Sequence, residues 1–440
     1  MKKISILIIT IMLVSIYPSM SKAVEPITYE NEVNVSVHLA SNLTLTANGS
    51  YQLLNKDTNN STLIPSGTSL SVSKDSTGVV VSFTSINEKS AKGFDLQELT
   101  GESSLSLAKL SNGLTYRGSF FLRPNGNQVQ VINILDMEDY LKGVVPSEMP
   151  ASWHKEALKA QAIAARSYAA NTMMLTSTAA SQVYRGYTGE DPRTNAAIQE
   201  TAGLLVKYNG KPIQAFFHST SGGRTANVSD VWNSDQKYYP YLVSVEDPYE
   251  VSPYSNWTET YSPSTLLKSF GVTDLNATLL DITYSKPGAN GEVKSVTLKT
   301  SAGDKTLSGN ELVIRKAFPV QNAAVYNALY STWFDIDFSG AQRELSVQTT
   351  SGTSTVTDMK GQKVQTTSGQ VTLSDSKVSI QTTNGIITNE GTGITTVTVK
   401  GKGWGHRVGM SQYGARGFAE KGWTAEQILT HYFKGTTVAK

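Results

Sequence analysis

From residue 140 to 170 the chain reads YLKGVVPSEMPASWHKEALKAQAIAARSYAA, and no other stretch constrains the fold as tightly. Its second half is alanine-rich, with Leu158, Ala162, Ala165 and Ala169 on one helical stripe and Gln161 and Arg166 at the margins. That spacing predicts a helix over 153–175 with Ser152 as N-cap, and the alanines let a neighbouring element approach closely. Its first half sets Glu148 in a loop between Pro146 and Pro150, after the helix-favouring run MEDYLKGVV. Proline on either side would hold such a loop still. A fixed acid ahead of a packed helix is one reading; a solvated loop carboxylate is the other, and by residue type alone the commoner one.

At 440 residues the chain exceeds one ordinary core and predicts two or more domains. It opens like a secretory signal: Lys2 and Lys3, an apolar run over 4–17, and the small-residue site Ser21-Lys22-Ala23. Cleavage before Val24 is expected rather than retention as an anchor, because the run is shorter than the roughly 20 residues that span a bilayer. No later segment is long and apolar enough to cross a membrane. Losing Lys2, Lys3 and Lys22 takes Lys+Arg from 38 to 35 against 36 Asp+Glu, so the mature chain is almost neutral. Such a chain has no electrostatic reason to seek nucleic acid or anionic lipid. The absence of cysteine excludes a disulfide framework, thiolate metal sites and thiol nucleophiles. Chemistry must come from Glu, Asp, His, Ser, Tyr or backbone.

Between 33 and 83 apolar residues alternate with Ser, Thr and Asn, as in VNVSVHL and SLSVS, with Gly49, Gly67 and Gly78 between the runs. This pattern predicts β-hairpins with one wet face and puts His38 on a strand surface. Residues 85–112 are polar and weakly periodic and read as a connection or a decorated edge. YRGSFFLRP and QVQVINIL predict two strands joined at Pro124-Asn125-Gly126. Farther on come a short helix over 194–201 and two strands paired through Asn209-Gly210. A loop with His218, Ser219, Ser221 and Arg224 follows, then an aromatic, proline-rich stretch over 238–254 that reads as wall or groove. The Thr-rich region 344–400 repeats itself: VQTTSG begins at Val347 and Val364, and IQTTNG at Ile380. Such spacing suits strand–turn–strand units. Six glycines lie between Gly401 and Gly417, ahead of a Thr424/Gln427 capping box for a last helix running to Phe433 and closed by Gly435.

The expected class is therefore α+β. A signal occupies 1–23, a β-rich region 24–112, a mixed sheet and helix catalytic core 113–340, a Thr-rich β insert 341–398, and a glycine-rich motif with its helix 399–440, completing the core.

Glu148 is the first chemical candidate, because apolar neighbours such as Val144, Val145, Met149 and Trp153 would raise its pKa toward that of a general acid. The HSTSGG loop invites a serine-hydrolase reading but lacks the G-x-S-x-G elbow and an obvious orienting Asp. No close-spaced His pair supports zinc, and the glycine run at Gly401 follows neither a phosphate-loop nor a dinucleotide pattern.

Four ordered segments, LKGVVPSEMPASWHKEALKAQAIAARSYAA, QVYRGYTGE, HSTSGGRT and GKGWGHRVGMSQYGARGFAEKG, resemble the family of stage II sporulation protein D and the amidase enhancer LytB. The resemblance covers roughly 31–337 and the C-terminal segment, leaving the repeat region outside. It implies a bacterial cell-wall protein, extracytoplasmic, secreted or wall-associated, acting on peptidoglycan in sporulation or wall remodelling. The sporulation branch consists of lytic transglycosylases that cut glycan strands stripped of stem peptides, with the glutamate of V-x-x-E-M, here Glu148, as acid and base. The enhancer branch implies a different role, docking on peptidoglycan to stimulate an N-acetylmuramoyl-L-alanine amidase. On either branch Gln161, Arg166, His218, Ser219, Ser221, His406 and Gln412 become candidate glycan-binding groups. For His406 and Gln412 an equal reading is that they are buried hydrogen-bonding groups that shape the glycine loop. Some members of the family bind zinc through cysteine and histidine; without cysteine that site cannot be carried over, and no metal or cofactor is expected.

Overall fold

The computed structural model describes residues 25–100, 105–320, 327–340, 345–349, 352–356, 359–374, 378–382, 385–389 and 393–440. The apolar N-terminal segment and its cleavage site lie outside the described residues. The chain divides into two compact units, Met1–Asp136 and Met137–Lys440.

The first unit is built from two antiparallel sheets. One orders its strands Glu32–Ala40, Gln128–Asp136, Ser119–Asn125, Phe94–Glu98, Tyr51–Asn55, Ser61–Ile64. The other runs Thr115–Tyr116, Leu107–Leu110, Asn42–Asn48, Thr68–Lys74, Val79–Phe83, Ile86–Ser90. Alternation explains the burial: Val33, Val35 and Val37 point inward from one sheet, Leu43, Leu45, Val79 and Val81 from the other. His38 is half-buried beside a register shift in its strand. Two expectations change here. The stretch 85–112 is neither connection nor edge throughout: Phe94–Glu98 is an interior strand, hydrogen-bonded on both sides, with Phe94 and Leu96 fully buried. Only two core residues carry that strand, too few for a periodic signal among its charged neighbours. And the strands Ser119–Asn125 and Gln128–Asp136 join this N-terminal sheet, so the division falls after 136 rather than at 112.

The second unit mixes helices with small sheets, which makes the chain α+β. Its helices among the described residues are α1 (Met137–Glu148), α2 (Lys155–Ala170), α3 (Pro192–Glu200), α4 (Val228–Val231), α5 (Pro263–Ser269), α6 (Glu311–Lys316), α7 (Gln412–Glu420) and α8 (Ala425–Tyr432). None of them is long and apolar enough to cross a membrane. Helix α2 is the centre, touching α1, α3, α7 and α8. It starts later than Ser152 suggests: His154 is the N-cap, its ring accepting from the Glu156 amide at 3.3 Å. Its burial is not a stripe either, since Ala157, Leu158 and every residue from Ala160 to Ser167 are buried. Small side chains on all faces let four helices close around it.

Three strands fix the rest of this unit. Thr396–Gly401 pairs antiparallel with both Trp257–Tyr261 and Phe334–Ser339. The strand before the repeat region is thus zipped to the strand after it, and the intervening chain leaves and returns at one place. Within it Leu345–Thr349 pairs with Gly352–Val356, Lys363–Thr366 with Gly369–Thr372, and Val378–Thr382 with Gly385–Asn389. Asn209 and Gly210, at φ of 50° and 74°, turn the hairpin between Leu205–Tyr208 and Lys211–Pro212. The Thr424/Gln427 capping box starts α8.

Candidate active site

Glu148 is not in a loop; it is the last residue of α1. Pro146 sits inside that helix, where it cannot donate a backbone hydrogen bond. The last turn is held by other means: Ser147 Oγ donates to the Gly143 carbonyl at 2.7 Å, and the Met149 amide to Val145 at 2.9 Å. Gly143 matters for a second reason. A Cβ there would lie 2.6 Å from the Tyr184 ring, so only glycine lets the 182–186 segment lie flat on α1. That segment is fixed from both sides, Tyr140 Oη donating to Gln182 Oε1 at 2.9 Å and Gln182 Nε2 to the Ala165 carbonyl at 3.2 Å.

This contact delivers the Val183 amide to Glu148 Oε1 at 2.6 Å. From the far end of the chain Gln412, the first residue of α7, donates Nε2 to the Glu148 carbonyl at 3.0 Å and approaches Oε2 at 3.4 Å. The residue keeps partial exposure while protein surrounds the carboxyl. Burial raises its pKa above the usual carboxylate range, and the two donors only partly offset this. Its place at a helix C-terminus, the negative end of the dipole, acts in the same direction. Nearby, the Trp153 and Tyr413 rings meet edge to face at 4.8 Å, joining the same two segments as Gln412 and Glu148.

The remaining predicted residues fall into two groups. Ser219 lies beside this corner: the residue is partly exposed, its carbonyl accepts from the Tyr413 amide at 3.1 Å, and its hydroxyl meets Thr220 Oγ1 at 3.1 Å. The others are sealed or engaged. Arg166, 2% exposed, forks onto Glu138 at 2.8 Å through both Nε and Nη2. Gln161 is fully buried and its amide has no hydrogen-bond partner among the described residues. Ser221 is buried and caps the Gly223 amide at 3.0 Å. His218 and His406 lie ring against ring at 5.6 Å. His218 Nδ1 faces the Val408 carbonyl at 3.2 Å, and His406 Nδ1 accepts from the Val408 amide at 3.1 Å. Burial pushes both imidazoles down, His406 to about 4, so both are neutral at physiological pH. No group of three His, Asp or Glu side chains gathers among the described residues.

Glu250 escaped the sequence reading. It accepts from the Ser221 and Gly222 amides and from Ser411 Oγ at 2.8 Å, tying the HSTSGG loop to the residue before Gln412. Its neighbour Asp247 is buried, and no well-directed hydrogen bond reaches either oxygen, although the Ser221, Ser411 and Tyr432 hydroxyls face it. Gly414 makes room for this pair, since a Cβ there would overlap the Asp247 carboxylate. In the aromatic stretch 238–254, Glu250 braces the loop and Tyr249 packs on Phe418 while staying partly exposed.

The sequence profile of the family described as stage II sporulation protein matches residues 125–208, the part that holds Glu148 and Val183. An amidase enhancer of Bacillus subtilis (strain 168) is 35% identical over 307 residues, 68% of this chain and 40% of that protein. Stage II sporulation protein D of the same strain is 28% identical over 336 residues, 71% of this chain and 76% of that protein. The chain belongs to the family of stage II sporulation protein D and the amidase enhancer. The Bacillus amyloliquefaciens member is 29% identical over 331 residues, 70% of this chain and 75% of its own length. Against the amidase enhancer, this member of the family spans well under half the relative's length. Two of its site features had no side-chain signal: the Val183 donor is backbone, and Gly143 acts by what it lacks.

Proposed function

We propose that this protein is a lytic transglycosylase that cuts peptidoglycan glycan strands lacking stem peptides, with Glu148 as its one acid and base. The observation that carries the reading is a carboxyl whose pKa is raised by burial, on a residue that keeps partial exposure at the end of its helix. Because Oε1 accepts the Val183 amide at 2.6 Å, the proton of the neutral acid belongs on Oε2. From there it passes to the glycosidic oxygen as the bond to the muramic C1 breaks. The primary hydroxyl of the same muramic residue then closes on C1, and Glu148, now a base, takes its proton. The nucleophile belongs to the substrate, so no second carboxylate is needed, unlike the usual two-acid glycosidase. The Trp153–Tyr413 pair and the Ser219 hydroxyl are the groups at this corner suited to a sugar face and its hydroxyls.

The identity to an amidase enhancer favours a second reading, in which the protein docks on peptidoglycan and stimulates a cell-wall amidase. One assay separates them. The mature protein is incubated with purified glycan strands free of stem peptides, and anhydro-muramic ends are sought by mass spectrometry. Release that Glu148→Gln abolishes supports catalysis; no release, or equal release by the variant, overturns it. Stem-peptide release accelerated only in the presence of an amidase supports the enhancer role.

A further inference from the structure

The second unit carries a pocket of about 310 Å³ that the reading above does not use. It opens at one end of the three-stranded sheet at the base of the repeat region, lined by Asn256 and Thr258 at the start of one strand, Trp333 and Asp335 at the start of the second, and Lys400 and Lys402 at the end of the third. That volume lies at the small end of small-molecule sites. The charges around it are unequally matched. Asp335 is taken by Lys286, and Lys400 by Asp337 at 2.8 Å. No carboxylate among the described residues pairs with Lys402; its ammonium rests over the Trp333 ring at 5.1 Å. The opposite demand on that indole comes from Arg407, 4.2 Å from the ring centre, but its charge is already matched by Glu292.

A cation–π contact leaves all three ammonium donors of Lys402 without an anionic acceptor. The rim therefore has one surplus positive charge, an apolar indole wall, and an exposed amide and hydroxyl, Asn256 and Thr258, whose side chains make no hydrogen bond within the described protein. We propose that this pocket binds a monoanionic sugar through its carboxylate, with Lys402 as the residue that selects it. In peptidoglycan that chemistry is a muramic residue whose lactyl carboxylate is free; a stem peptide converts the same group to a neutral amide. The pocket then distinguishes stripped strands from decorated ones. The choice of sugar rests on the peptidoglycan reading above, whereas the preference for a carboxylate rests on the charges alone.

Isothermal titration of the full mature chain with N-acetylmuramic acid, its methylamide and N-acetylglucosamine tests this. The acid is expected to bind about tenfold tighter than either neutral sugar, the scale of one charge-assisted hydrogen bond. Lys402→Gln removes the preference, while Lys400→Gln, which loses a lysine already paired with Asp337, keeps it. Equal binding of acid and amide, binding of none of the three sugars, or a preference that survives Lys402→Gln overturns the proposal. Tighter binding of a glycerol phosphodiester than of the acid also overturns it. Repeating the titration on Glu148→Gln separates the two claims: the preference persists there even if the catalytic reading fails, and cleavage by wild type stands even if the pocket proves empty.

Discussion

Two acids in the second unit share one perturbation and differ in everything else. Burial raises the pKa of both Glu148 and Asp247. Glu148 ends a helix, keeps partial exposure and receives a backbone amide at 2.6 Å. Asp247 is 1% exposed, lacks a well-directed donor and is pushed further by the neighbouring Glu250. A raised pKa marks strain on the charged form and by itself does not separate a working acid from a buried structural one; position and partners do.

The sharpest break between them is expected in activity. Glu148→Gln should lower glycan cleavage by about 10²- to 10⁴-fold, the usual worth of a positioned acid–base group. Asp247→Asn should leave cleavage unchanged at neutral pH. A comparable loss in both variants, measured as anhydro-muramic ends per minute, would remove the distinction.

Stability against pH should separate them next. Asp247 is raised from 3.8 to about 7, so the native state binds its proton more tightly than the unfolded chain does. Its contribution is fully present below the unfolded value and is lost as pH rises toward about 7, on the order of a few kcal/mol in total. Thermal melts should show wild type declining across that window relative to Asp247→Asn, which should be the more stable protein above it. Parallel curves would mean that the acid is not buried as described.

Smaller effects probe the scaffold around Glu148. Gly143→Val forces a side chain into the Tyr184 ring and should cost about 1–3 kcal/mol, with a loss of cleavage as Val183 is displaced. Unchanged melting would contradict the contact. Gln412→Ala removes a donor to the carboxylate, worth about 1 kcal/mol. Since that donor lowers the pKa of Glu148, its loss should move the alkaline limb of the pH–rate profile upward. A shift downward would refute the assigned contact.

The sequence showed Glu148 and Gln412 as candidates because each sits in a distinctive motif, yet it could not pair them, since their proximity is made by tertiary packing. It showed the last helix in detail, because a capping box is local chemistry. It misplaced the start of α2, where His154 rather than Ser152 caps, and missed that the 94–98 strand is central, because two apolar residues carry too little periodicity. The family resemblance made Arg166 and Ser221 candidate ligands, and left His406 equally a ligand or a buried group that shapes the glycine loop. In the fold they are engaged by Glu138 or by backbone, an outcome no single sequence distinguishes from binding.

The glutamine that touches the acid comes 264 residues after it. A ribosome adding about 5–20 residues per second would need roughly ten to fifty seconds between the two. Through that interval a nascent chain carries its acid with one donor missing. The corner around Glu148 is therefore completed only after residue 412 has been added, long after the acid itself.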